Sequence, residues 1–254
     1  MSSTKIGAGG ISCQAAKPGG GEGTGGGGQS RNSLMRADRS PGYRALMQKL
    51  RAAGIFRSNR VFNALAFHDR RHFWPKKSLP ADINKDTPVM ISSDASISQP
   101  SLVAVILEAA AIQPRETVLE AGYCSGWLLA MIAYLVGEEG RVVGTEMEPA
   151  LAGKGKANVE RFGYSNVECL LVADNHYLTD YQDKFDVVIV SAGLELEDDN
   201  TEILRKLIAC LKDGGRLIVP IGSRLQLISK EAGKTHWLVI DPGVTFVPFV
   251  KKNR

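Results

Sequence analysis

The sequence predicts an α/β fold, a doubly wound, mostly parallel sheet with antiparallel strands at its C-terminal edge. Apolar runs of strand length at 117–121, 141–146, 167–172 and 185–190 alternate with stretches of helical periodicity. The run Phe185-Asp186-Val187-Val188-Ile189-Val190 is apolar almost throughout, as expected of a parallel strand covered on both faces. After 216–220, short strands at 225–229 and 237–240 follow with no helix between them, which suits antiparallel pairing, and 244–250 is expected to complete that edge.

Composition sets the outer limits. The chain has 254 residues, 44% hydrophobic and 23% charged with a net charge of +4, enough for one large core. Its basic residues are dispersed, which favours a solvated surface over a nucleic-acid patch. No run of 18 apolar residues is present, so no membrane-spanning helix is expected. Cys13, Cys124, Cys169 and Cys210 show no C-x-x-C spacing, and the four histidines lack ligand spacing. Neither a metal site nor a disulfide framework follows, and a reducing compartment fits best.

Taken in order, residues 1–33 hold 11 of the 27 glycines and a single acid, Glu22, so they cannot bury enough surface to offset their ordering entropy. A flexible tail is expected over 1–40. Its scarcity of acids leaves a mitochondrial transit peptide open beside a cytoplasmic location. A helix begins at Tyr43 with Leu46, Leu50 and Ala53 on one face and is closed by Gly54. A second starts after Ser58, a plausible N-cap, with Val61, Phe62 and Leu65 as its stripe. Residues 69–95 read as a long irregular stretch, either a lid or a surface wrap. Pro100 opens the helix 101–111, and Ser98 is either its cap or a hydroxyl held beside the next loop. This helical and lid region spans 41–112; the sheet core spans 113–254. Within the core the helices are expected at 128–136, 149–162 and 201–211, with Lys212-Asp213-Gly214-Gly215 as a turn.

Two strand ends carry the chemistry. Thr117-Val118-Leu119-Glu120-Ala121-Gly122-Tyr123-Cys124-Ser125-Gly126 runs from a strand through a glycine-bearing turn into a helix, which lets a ligand approach backbone at a helix N-terminus. Twenty-six residues after Glu120, Glu146 ends the next strand, where an acid can bind both hydroxyls of a ribose. The pair points to a nucleoside-bearing cofactor. Asp174-Asn175, after the third strand, can hydrogen-bond an adenine edge or simply form a turn.

Across residues 43–250 the chain resembles the protein-L-isoaspartate O-methyltransferases. The matching pieces are Leu50-Arg51-Ala52-Ala53-Gly54-Ile55, Val61-Phe62-Asn63-Ala64-Leu65, Ile97-Ser98-Gln99-Pro100, the loop 120–126, Gly144-Thr145-Glu146, 212–220 with Gly222, and Phe246-Val247-Pro248. The resemblance implies a Rossmann-like methyltransferase sheet, S-adenosylmethionine as cofactor and isoaspartyl carboxylates of damaged proteins as methyl acceptors. It implies that Ser98 is the active-site hydroxyl near the substrate carboxylate. Glu120, Gly122 and Gly126 would form the cofactor loop, Glu146 the ribose-binding acid and Asp174 the adenine-side acid.

The chain departs from the family pattern at four places around that site. The mid-loop glycine is Cys124, whose side chain would project towards the methionine part of the cofactor if the family backbone is kept. The glycine-rich lead into Ser98 is Ile91-Ser92-Ser93-Asp94-Ala95-Ser96. The glycines flanking Asp174 are Ala173 and Asn175, and the alanine-rich turn after strand four is Ser191-Ala192-Gly193-Leu194-Glu195. Two readings follow: an active protein carboxyl methyltransferase, or a degenerate methyltransferase fold serving as a subunit of a larger assembly. A nucleic-acid methyltransferase fits less well, since the sequence shows neither an Asn-Pro-Pro-Tyr-type base pocket nor an interleaved basic and aromatic patch.

Overall fold

The computed structural model describes residues 39–195, 198–241, 243 and 246, with backbone alone at 198–200. The glycine-rich tail with Cys13, the edge strand expected at 244–250 and the Phe246-Val247-Pro248 match fall wholly or largely outside the described residues.

Two helices lead, α1 (Pro41–Ala52) and α2 (Asn59–Phe67), each headed by a serine whose side chain accepts from the backbone: Ser40 from Tyr43 N–H and Ser58 from Val61 N–H. Between them and the sheet the chain makes a 3-10 turn (Arg70–Phe73) and a small hairpin of β1 (Val89–Met90) and β2 (Ser96–Ile97). The stretch expected to be irregular therefore contains paired backbone. Helix α3 (Pro100–Ala110) ends where Ala111 turns left-handed at φ 44°.

Alternating units follow: β3 (Thr117–Ala121), α4 (Trp127–Val136), β4 (Arg141–Glu146), α5 (Pro149–Glu160), β5 (Val167–Leu171), a 3-10 turn (Asn175–Tyr181), β6 (Phe185–Val190) and α6 (Asp198–Ala209). The antiparallel run is β7 (Leu211–Ile221), β8 (Arg224–Glu231) and β9 (Lys234–Asp241). The seven-stranded sheet has the order β5-β4-β3-β6-β7-β8-β9, parallel from β5 through β7 and antiparallel beyond. One expectation is corrected: 212–215 is not a turn outside the sheet. It is an irregularity inside β7, where the register against β6 shifts and Gly214 takes φ +78°. Pairing on both sides of the shift captures residues whose Asp-Gly-Gly composition alone favours a turn.

The doubly wound form follows from alternation along the strands. Val187 and Ile189 of β6 pack with the cluster under α1 to α5, whereas Val188 and Val190 face α6 and the second 3-10 turn. All four are at most 1% exposed, so each contributes about 1.5–3 kcal/mol of apolar burial. The winding reverses at β3: the chain goes outward through β4 and β5, then returns to place β6 on the other side. Ligand crevices in such sheets open at the strand C-termini beside that reversal.

Candidate active site

At the reversal point, β3 ends in Glu120 and Ala121 and the loop to α4 passes through Gly122 at φ +87° and Gly126 at φ +78°. Glu120 is 1% exposed, and its Oε1 accepts a 2.8 Å hydrogen bond from the Ser191 hydroxyl just beyond β6. Among the described residues its Oε2 is buried without a partner. Burial pushes this carboxyl up to about 8, against the Ser191 hydrogen bond and assisted by the negative charge of Glu146. Beside it, a Cβ placed on Gly122 would meet only the Ser191 Cβ, at 4.0 Å, so the loop leaves room there.

The other half of the loop is packed against protein. A Cβ on Gly126 would come within 2.7 Å of the Gly155 carbonyl, and one on Gly155 within 2.3 Å of the Cys124 carbonyl. Glycine at both positions lets the loop and α5 touch through backbone. Tyr123 fastens the contact by donating its hydroxyl to the Ala152 carbonyl at 3.0 Å.

Glu146 faces this loop. Its Oε2 accepts from Cys124 N–H at 3.0 Å, and its Oε1 accepts from Met147 and Glu148 N–H at 2.8 and 2.9 Å. Three of the carboxylate's roughly four acceptor positions are thus used by backbone. Cys124 adopts φ 46°, a left-handed conformation costly for a non-glycine residue, and its thiol lies 3.9 Å from the Ser96 carbonyl. Burial first, then the charge of Glu146, pushes that thiol up to about 12, so it is a neutral packing group.

Ser98 follows β2, half-buried, and its hydroxyl has no hydrogen-bond partner among the described residues. Of the two readings of Ser98, the helix cap does not hold. Gln99 occupies the cap position, but its side chain donates to the Ser101 hydroxyl at 2.8 Å and does not cap the backbone; the free helix N–H of Ser101 is bound at 2.9 Å by Asp86, a residue of the preceding loop. The Cys124–Ser96 contact brings the Ser98 segment against the glycine loop. Asp174 stands apart from these contacts: it is exposed and accepts from His176 N–H at 2.7 Å, heading the 3-10 turn as its turn-forming reading anticipates. Ser191 appeared in the sequence only as a departure after strand four; a hydroxyl directly after an almost wholly apolar strand was the signal for it. Asp86 had no such signal, because its partner is fifteen residues away across a loop.

A cavity of about 430 Å³ lined by Tyr43, Met47, Phe62, Phe67 and Tyr134 lies among α1, α2 and α4, away from the strand ends. It is apart from the residues above, and the strand-end geometry is the better guide to chemistry.

A sequence profile of the protein-L-isoaspartate(D-aspartate) O-methyltransferase family matches residues 42–254. The chain is 34% identical over 221 residues to the protein-L-isoaspartate O-methyltransferase of Pyrococcus horikoshii, covering 83% of this chain and 94% of that protein. It is 31% identical over 223 residues to the Triticum aestivum protein of that name, covering 82% and 91%. Among solved structures, one described as a protein-L-isoaspartate O-methyltransferase superposes with a TM-score of 0.66 at 26% identity, over 81% of this chain and 65% of that one. A Plasmodium falciparum structure so described, in complex with S-adenosyl-L-homocysteine, shares the fold with a TM-score of 0.67 at 24% identity, over 83% and 99%. The family profile spans most of the chain and the relatives match it over most of their length, so this chain belongs to the protein-L-isoaspartate(D-aspartate) O-methyltransferase family.

Proposed function

We propose that the protein transfers a methyl group from S-adenosylmethionine to the free carboxylate of isoaspartyl residues in proteins or peptides. The observation that carries the reading is the buried Glu120 oxygen without a partner, beside the open flank of Gly122. A buried acceptor left unpaired is costly, and a cationic ligand group at that spot removes the cost. The methionine ammonium of the cofactor is such a group, so the residues present fit it.

In this reading Glu120 and the Gly122 backbone hold the methionine arm, Gly126 keeps the loop on α5, and Glu146 offers its remaining acceptor position to the ribose. Asp174 offers its second carboxylate oxygen to the adenine side. Ser98, with its hydroxyl uncommitted, donates to the acceptor carboxylate. The bound cofactor supplies an electrophilic sulfonium methyl. An isoaspartyl carboxylate is ionised at neutral pH, so no side chain need remove a proton; the chain aligns the carboxylate and excludes water. Cys124 fills space towards Ser96 and takes no part in proton transfer. Nothing in the described residues or among the relatives favours the non-catalytic subunit reading over turnover, and among the described residues no helix is long and apolar enough to cross a membrane.

Calorimetric titration with S-adenosylhomocysteine tests the cofactor assignment. One molecule should bind per chain in the micromolar range typical of enzyme substrates, in competition with S-adenosylmethionine. No heat and no competition would overturn it.

A further inference from the structure

Arg70 is fully buried in the first 3-10 turn, and among the described residues no carboxylate pairs with it. Its five N–H groups are spent on main-chain carbonyls of one segment. Nε donates to Ile83 at 3.0 Å; Nη1 to Thr87 and Ser98 at 2.7 and 3.2 Å; Nη2 to Asp82, Ile83 and Lys85 at 3.1, 2.7 and 2.8 Å. The same guanidinium lies over the Trp127 ring, 5.9 Å from its centroid, and Trp127 is the first residue of the helix that follows the glycine loop. Trp127 in turn donates its indole N–H to the His68 carbonyl at 2.8 Å, closing the connection to the turn that carries Arg70. We infer that Arg70 is a positioning residue for methyl transfer, the anchor that gathers residues 82–87 and Ser98 into one unit and seats that unit against the glycine loop.

The chemistry requires arginine there. A planar fork serves five carbonyls through three nitrogens, whereas an ammonium offers three donors from a single point and no flat face for Trp127. Asp69 is engaged elsewhere, accepting from Ser40 and Arg71 N–H and pairing with Arg71 Nε at 3.2 Å, so it does not neutralise Arg70. Burial lowers the pKa of this guanidinium, the electrostatic influence of Tyr43, Asp82, Asp86 and Asp69 opposes that shift, and the arginine keeps its charge. Asp86 works with Arg70 at the far end, fastening the segment to α3 through Ser101. Ser98 is thereby fixed by its carbonyl and left free at its hydroxyl.

The inference rests on the proposed methyl transfer, and its test is built to separate the two. In Arg70→Lys, amide hydrogen exchange at 82–98 should accelerate at least tenfold while the sheet strands keep their protection. S-adenosylhomocysteine should still bind once per chain within about threefold of wild-type affinity. Turnover of an isoaspartyl peptide should fall more than tenfold, and methylguanidinium should restore part of it in Arg70→Ala. Unchanged exchange at 82–98, or a loss of S-adenosylhomocysteine affinity as large as the loss of turnover, overturns the inference. If the variants do not fold, wild-type exchange decides: 82–87 and 96–98 must open together in one step, and separate opening overturns it. A wild-type protein that binds the cofactor product but methylates no isoaspartyl peptide refutes the methyl-transfer reading instead, and exchange alone then judges Arg70.

Discussion

At neutral pH the side chain of Glu120 keeps its proton, because burial outweighs the hydrogen bond from Ser191 and the neighbouring charge of Glu146 works in the same direction as burial. Its folded value, about 8, lies above the ordinary 4.5. The folded state therefore holds more protons between those two values, and stability falls as pH rises from about 4.5 and levels off above about 8. Glu120→Gln removes a group that must be charged in alkaline solution. It should be more stable than wild type at pH 8.5, by at most about 5 kcal/mol, with a smaller gap at pH 5. Thermal denaturation across that range checks it, and a gap independent of pH contradicts it. The same variant should lose affinity for S-adenosylhomocysteine. Binding of the ligand's ammonium should release close to one proton near pH 7, read from calorimetry in buffers of different ionisation enthalpy. An analogue lacking the ammonium, 5′-methylthioadenosine, should release none. Glu146 carries a separate prediction. Its carboxylate orders Cys124 N–H as well as offering itself to a ligand, so Glu146→Ala should weaken S-adenosylhomocysteine binding by roughly 1–3 kcal/mol. Affinity equal to wild type would remove Glu146 from the site.

Between elements, the contact of α5 with the glycine loop is made by backbone. Gly155→Ala would place a methyl 2.3 Å from the Cys124 carbonyl and 2.7 Å from the Tyr123 ring, so the loop must lift from the helix. Overpacking of this kind costs typically 1–3 kcal/mol, and cofactor affinity should fall with stability because the displaced atoms belong to the loop. Denaturant melts paired with S-adenosylhomocysteine titration check this; a variant equally stable and equally tight would show that the loop tolerates the shift. Gly153, on the same helix, has open space around it and serves as the control. At the opposite side of the site, Asp86→Ala should cost about 1 kcal/mol, the usual worth of a helix cap, because it strips α3 of its one side-chain acceptor at Ser101.

For the whole molecule, the sheet was legible wherever short-range pattern and burial agree. The apolar 185–190 became the central β6, and the acids at 120 and 146 ended adjacent parallel strands. The glycine loop was legible because left-handed backbone demands glycine, as Gly122 and Gly126 show; its contact with Gly155 emerged only in the fold. What stayed hidden depends on partners distant in sequence. Arg70 reads as one of several basic residues before an aromatic pair, yet it binds carbonyls 12 to 28 residues onward. Ser98 looked like a helix cap because its local sequence suits one, and only the folded loop delivers Asp86 to that task. The 212–215 stretch misled for a similar reason, since strand pairing overrode its local preference for a turn.

Methyl transfer to a defined peptide pair is the most direct test. With labelled S-adenosylmethionine, a peptide containing one isoaspartyl residue should acquire base-labile methyl ester, and the same peptide with ordinary aspartate should acquire almost none. Equal labelling of the two, or no labelling by protein shown to bind S-adenosylhomocysteine, would contradict the assignment of isoaspartyl carboxylate as the acceptor.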